Sequence, residues 1–279
     1  MILAKGMGAR VRGQQAIAIL DSGVGGITVV GEIIRQLPLE PIIYFGDTKR
    51  APYGSRSVDE VRSFTAGMVD FLLTFQPKMI VIACNTATAA ALDWIIAMVN
   101  IPVIGVIAPG ARAAMKATKR GRIGVIGTEG TVRSGAYEQA LRSISPQVNV
   151  FSLACPALVP IVEQGMVHPE RTREAVEKAL QPLHRFDLDT LILGCTHYPF
   201  LSEVIQECVG EEMRLISSAD ETAQEISAIL YHRGELSSIL TEPEYLFYCS
   251  GDPVIFEQIA RKWLAKDIHV NSVNWNEQK

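Results

Sequence analysis

IVIACNT (residues 80–86) and LILGCTH (residues 191–197) share one pattern: an apolar run, a small residue, a cysteine, then polar side chains. Neither run alternates with polar residues. A strand reads this way when both its faces are covered, as in a parallel sheet flanked by helices. In open parallel sheets ligands collect beyond the carboxyl ends of the strands, and each cysteine falls at such an end. If the two segments belong to similar domains facing one another, Cys84 and Cys195 meet across one cleft despite their separation in sequence.

Further short runs of the same kind surround them: Ala16–Leu20, Ile42–Phe45, Val103–Val106, Ile123–Ile126, Val148–Leu153, Arg214–Ser217 and Leu246–Cys249. With Met79–Ala83 and Thr190–Leu193 they make nine candidate strands. Helical patterns fall between them at Val58–Phe75, Ala87–Val99, Thr131–Ser143, Pro169–Phe186, Ala219–Arg233 and Pro253–Ala265. Strand and helix in alternation predict an α/β fold. Nine strands in 279 residues predict two similar α/β domains with mostly parallel sheets and the active site in the cleft between them. The expected division gives residues 1–107 and 218–279 to the first domain and 108–217 to the second. Residues 1–15 are expected to form a flexible extension.

Composition limits the function classes. Hydrophobic residues make up 48% and charged residues 20%, which supports a sizeable core. The net charge of −4 gives no basic surface for nucleic acid. Trp94–Ala111 contains no charged residue, but Asn100-Ile101-Pro102 and Pro109-Gly110 interrupt it, so no membrane span is expected. The five cysteines include no CxxC and no zinc-type spacing. A disulfide framework, a metal site and a thiol oxidoreductase are therefore not expected, and free thiols suit the cytoplasm.

The polar segments after the strands hold the candidate chemistry. DSGVGG (21–26) follows the first strand and opens a helix; its glycines allow close backbone approach, and helix N-terminal N–H groups favour an anion. It is neither a dinucleotide fingerprint nor a Walker loop. As a plain turn, Asp21 or Ser22 would cap the helix. GDTKRAPYG (46–54) is either a surface turn or a loop whose backbone and Tyr53 hydroxyl hold substrate. Cys84 precedes a helix, and a helix N-terminus lowers a thiol pKa. His197, two residues after Cys195, is placed to ionise that thiol or shuttle its proton. A single Cys/His pair suggests acyl transfer. Two matched thiols instead suit one base and one acid on opposite faces of a planar intermediate. Ionising an ordinary thiol at pH 7 takes about 2 kcal/mol, with Asp21, His197 and helix N-termini available to tune it.

DSGVGG, GDTKRAPYG, ACNTATA (83–89), IGTEGT (126–131), ACPALVPIVEQG (154–165) and GCTHYP (194–199) together closely resemble the glutamate racemase family. These bacterial enzymes make D-glutamate for peptidoglycan. The resemblance runs from Ala16 to about Asp220. Ile27 replaces the usual Leu, and Lys49 stands where a small residue is common.

The resemblance implies cofactor-independent interconversion of L- and D-glutamate in a cytoplasmic, commonly dimeric enzyme. It implies that Cys84 takes the proton from D-glutamate and Cys195 from L-glutamate. It implies that Asp21, Ser22, Tyr53, Gly54, Asn85, Thr86, Thr196 and His197 contact substrate or assist catalysis. Glu163 is similar to the family's glutamate that supports the histidine. Pro52, Thr128 and Thr131 are further candidate contacts. An aspartate racemase of the same superfamily is the nearest alternative, and a non-catalytic amino-acid-binding protein the alternative of another class.

Overall fold

The computed structural model describes residues 12–165, 169–238 and 241–274. Most of the expected N-terminal extension, residues 1–11, lies outside them, as do residues 275–279. The chain runs β1 (Ile17–Asp21), α1 (Ile27–Gln36), β2 (Ile42–Gly46), α2 (Val58–Leu73), β3 (Met79–Ile82), α3 (Asn85–Met98), β4 (Val103–Gly105) and α4 (Ile107–Ala117). It continues with β5 (Arg122–Gly127), α5 (Glu129–Ser134), α6 (Ala136–Ile144), β6 (Asn149–Ala154), α7 (Leu158–Glu163), α8 (Pro169–Leu180), β7 (Thr190–Gly194), α9 (Ser202–Val209) and β8 (Arg214–Ile216). Then come α10 (Ala219–Arg233), β9 (Tyr245–Cys249), α11 (Pro253–Leu264) and β10 (Val270–Ser272).

The strands form two sheets, ordered β10-β9-β2-β1-β3-β4 and β6-β5-β7-β8. All their pairings are parallel. Stripped of β9 and β10, the two orders are the same: second, first, third, fourth. The echo between residues 80–86 and 191–197 is therefore an echo of topology, since β3 and β7 are each the third strand of their sheet.

Side chains alternate across each strand, so each sheet builds a core on both faces. Ile17 and Ile19 of β1 pack with α1 and with Ala223, Ile226 and Leu230 of α10. Ala18 and Leu20 pack on the opposite side with Met68 and Leu72 of α2 and Ile95 of α3. In the second sheet Leu191 and Leu193 face one cluster with Val162 and Val176. Ile123 and Val125 face the other with Ala111 and Leu141. After β8 the chain thus goes back to the first sheet, with α10 on its face and β9 and β10 extending its β2 edge.

Local chemistry sets several boundaries. Ser57 and Glu60 form a reciprocal capping box at the start of α2. The helix expected over Thr131–Ser143 is broken in two at Gly135, whose φ of 65° no helical residue adopts. The one expected over Pro169–Phe186 stops at Leu180 and continues as a 3-10 turn over Gln181–Arg185. Pro182 in that turn has no N–H to continue an α ladder. Pro109 and Gly110, read as breakers, lie within the first turns of α4, where early residues need no N–H donor. Among the described residues no helix is long and apolar enough to cross a membrane.

Candidate active site

In a sheet of this order the strand sequence reverses between the first and third strands, leaving a crevice beyond their carboxyl ends. Both sheets direct that crevice to the same place. Leu20 is level with Ile82 in the first sheet, so Ser22 and Cys84 come out side by side. Gly127 is level with Gly194 in the second, so Thr128 and Cys195 do the same. A single cavity of about 10 Å³ receives them, lined by Ser22, Cys84, Thr128 and Cys195. Pro52, Tyr53, Gly54, Asn85, Thr86, Thr196 and His197 complete the expected lining. Asp21, Glu163 and Thr131 do not line it; each stands behind and holds a residue that does.

Cys84 is the N-cap of α3. Its Sγ accepts from Ala87 N at 3.4 Å and donates to Ser22 Oγ at 3.5 Å. These contacts lower the thiol pKa, as a helix N-terminus should, yet they lose. Burial, aided by the Asp21 carboxylate, pushes the thiol up to about 12. The expected activation by the helix is thus overridden, because a buried thiolate sits in a low dielectric beside a carboxylate. Asp21 is fully buried; its oxygens accept from Gly23 N at 2.9 Å and Thr196 Oγ1 at 3.0 Å. Burial raises its carboxyl too, although His197 pulls the other way.

Cys195 has different company. Its Sγ lies 3.6 Å from His197 Nδ1, and His197 Nε2 lies 2.5 Å from Glu163 Oε1. Burial alone would depress the imidazole. Hydrogen bonds to Cys195 and Glu163 outweigh it and raise His197 well above the ordinary histidine range. Burial would likewise raise Glu163, but the bond to His197 brings its carboxyl below the usual value. The result is an imidazole favoured in its protonated form between a sulfur and a carboxylate.

The glycines of residues 21–26, read as admitting a ligand, admit protein. A β-carbon on Gly23 would collide with Glu163 Oε1, and one on Gly25 would stand 2.6 Å from His197 Nδ1. Glu163 Oε1 also accepts from Val24 N at 3.3 Å, joining α7 to the loop after β1. A second seam forms where Thr86 Oγ1 meets Thr128 Oγ1 at 2.8 Å and Thr131 Oγ1 at 3.2 Å. Nearby, Gly130 N donates to Gly54 O at 2.8 Å.

The Tyr53 hydroxyl, expected to hold substrate, donates to Asp47 Oδ2, and Tyr53 lines the cavity. Asp47 also accepts from Arg50 Nε at 2.5 Å and, through Oδ1, from Ser250 Oγ at 2.6 Å. Sequence reasoning missed Asp47 and Val159, which lie inside quoted motifs, Val159 lining the cavity. It also missed Ser250, which no motif marked.

Residues 25–226 match the Asp/Glu/Hydantoin racemase family. The glutamate racemase of Bacillus cereus is 53% identical over 254 residues, 91% of this chain and 94% of that protein. A crystal structure of a glutamate racemase isoform from Bacillus anthracis superposes with a TM-score of 0.91 at 51% identity, covering 94% of this chain and 98% of that one. The glutamate racemase of Francisella tularensis, solved in complex with D-glutamate, gives 0.86 at 32% identity, covering 94% and 98%. Two sheets of one topology, a cysteine at the third strand of each, and relatives that match nearly end to end place this chain in the Asp/Glu/hydantoin racemase family, among its glutamate racemases.

Proposed function

We propose that this chain interconverts L- and D-glutamate, Cys84 and Cys195 serving as the two acid/base groups. The observation that carries the reading is that both sulfurs line one cavity from the ends of β3 and β7, strands of opposed sheets. One thiol in each sheet suits removal of the α proton on one face and return of a proton on the other. Cys84 takes the proton from D-glutamate and Cys195 from L-glutamate. No cofactor enters the scheme: the developing carbanion is held by fixed dipoles and prompt reprotonation.

The side chains divide the work. The amide of Asn85 and the hydroxyls of Thr86 and Thr128, with backbone N–H groups near Ser22 and Gly54, receive the carboxylates. Thr196 and His197 serve the Cys195 side. With its neighbours as they stand, ionising Cys84 at pH 7 takes on the order of 7 kcal/mol at 1.36 kcal/mol per pKa unit. The α-ammonium of a bound amino acid offsets Asp21 and lowers that cost, so the base forms with substrate in place. Asp21 and Glu163 act through Thr196 and His197. A cavity of about 10 Å³ has room for little more than one water. Glutamate therefore enters after the two sheets part along the seams at Glu163–Val24 and Thr86–Thr128.

The division into residues 1–107 with 218–279 and 108–217 follows the two sheets and makes this parting a hinge motion. The product supplies peptidoglycan precursors, which places the enzyme in the cytoplasm. Its partner is glutamate, with no role for nucleic acid, and the active form is a homodimer.

The test is purified protein with L-glutamate in D₂O, following optical rotation and the α-proton signal by NMR. Loss of rotation with deuterium entering the α carbon is the expected result. Turnover of L-aspartate but not L-glutamate would keep the thiol chemistry and overturn the substrate. Silence toward every amino acid from folded, reduced protein would leave a binding protein.

A further inference from the structure

The two ends of the Asn85 carboxamide are treated differently. Oδ1 accepts a hydrogen bond from the Tyr137 hydroxyl at 2.7 Å. Nδ2 is buried and has no hydrogen-bond partner among the described residues, although Asn85 lines the cavity. Folded interiors leave few buried donors unmatched, and each one calls for a reason.

Which end of a carboxamide faces which way is decided by what it bonds. Tyr137 has one proton to give, and it goes to Asn85 Oδ1. Ser218 stands close by, its side chain acting to lower the phenol pKa against the effect of burial. Ser218 is the N-cap of α10 yet makes no side-chain cap bond to that helix. A β-carbon at Gly110 of α4 would come within 3.2 Å of the phenol oxygen and 3.1 Å of Ser218 Cβ, so α4 is bare where the two meet. Tyr137 is itself only 2% exposed and belongs to the core under α6.

We propose that Tyr137 is a positioning residue: by holding Asn85 Oδ1 it turns Asn85 Nδ2 into the cavity as the donor to a substrate carboxylate. This deepens the glutamate reading and rests on it. This bond joins α6 to the start of α3, so the donor's aim is set from behind the cavity lining.

The experiment is a double-mutant cycle between Tyr137→Phe and Asn85→Ala, reading KM and kcat for both enantiomers alongside Tm. Asn85→Ala raises KM about tenfold or more, as loss of a bond to a charged group does. Tyr137→Phe raises KM roughly three- to tenfold with kcat within about a factor of two, the size expected for one neutral hydrogen bond. In the Asn85→Ala background, Tyr137→Phe adds nothing further to KM, because the group it aims is gone. Ser218→Ala moves KM the same way by a smaller factor, and serves if Tyr137→Phe folds poorly. An unchanged KM in Tyr137→Phe, or a full further loss in the Asn85→Ala background, would overturn the proposal. Wild-type KM in Asn85→Ala would instead show that Asn85 does not receive the carboxylate, and the underlying reading of the cavity would fail with it.

Discussion

Cys84 and Cys195 stand at corresponding ends of β3 and β7, yet their surroundings differ in sign. Around Cys84 are a hydroxyl, a helix N–H and the carboxylate of Asp21, and the thiol is pushed up to about 12. Around Cys195 is His197, whose bonds to Cys195 and Glu163 raise it well above the ordinary histidine range. The helices that follow differ as well. Cys84 caps the 14-residue α3, whereas Cys195 is followed by a 3-10 turn over Tyr198–Leu201. Equal topology therefore does not give equal chemistry. Burial and a nearby negative charge favour the proton on Cys84, while His197 is favoured in its protonated form beside the Cys195 sulfur.

The strongest way to break this comparison is to remove one sulfur at a time. We expect Cys84→Ser and Cys195→Ser each to lower kcat/KM for racemisation by about 10³-fold or more, since a serine hydroxyl is far too weak an acid to act as the base. Single-turnover α-proton exchange measured from each enantiomer checks it. A variant that retains most of its activity would remove that cysteine from the mechanism.

Glu163→Gln sharpens the comparison by reducing the charge on the Cys195 side alone. The imidazole loses its anionic partner, so kcat should fall about 10- to 100-fold and the pH profile shift with it. Stability changes with pH in a definite sense. The His197 pKa is raised above 6.5, so its contribution is complete below 6.5 and is lost as pH climbs through the folded value. The Glu163 pKa is lowered below 4.5, so its contribution is complete above 4.5 and is lost as pH falls through the folded value. Unfolding free energies of the wild type and Glu163→Gln, from denaturant titration, should therefore differ most between pH 4.5 and 6.5, by about 2 kcal/mol. Curves that stay parallel at every pH would show that the pair is not charged.

The smallest effect expected is at the contact between the halves. Gly25→Ala puts a methyl against Thr196 and His197, and overpacking of this kind costs about 1–3 kcal/mol. The loss should appear in KM and in Tm together, because the closed arrangement is what the methyl opposes. Unchanged values for both would mean that the loop after β1 does not seat against His197 during turnover.

Much of the fold could be read from the residues because its signals are local. Apolar runs without alternation marked the buried parallel strands, and the small-residue–Cys–polar pattern marked two strand ends. β10, a three-residue edge strand with two exposed residues, carries too little apolar signal to be found. The cavity lining was legible where motifs cluster at strand ends, as at Asn85, Thr86, Thr196 and His197. Tyr137, which bonds Asn85 from behind the lining, was not, because it lies on an element that no motif distinguishes.

The residues alone fixed the α/β class, the presence of two similar sheets and the two strand-end cysteines that line the cavity, since strand burial and residue type are written along the chain. Only the tertiary structure decided the charge on each thiol's neighbours, the commitment of the Tyr53 hydroxyl to Asp47, and the use of Gly23 and Gly25 against Glu163 and His197. These depend on which groups meet across the cleft and how deeply they are buried. Electrostatic energy varies with distance and dielectric, and neither is a property of a residue's place in the chain.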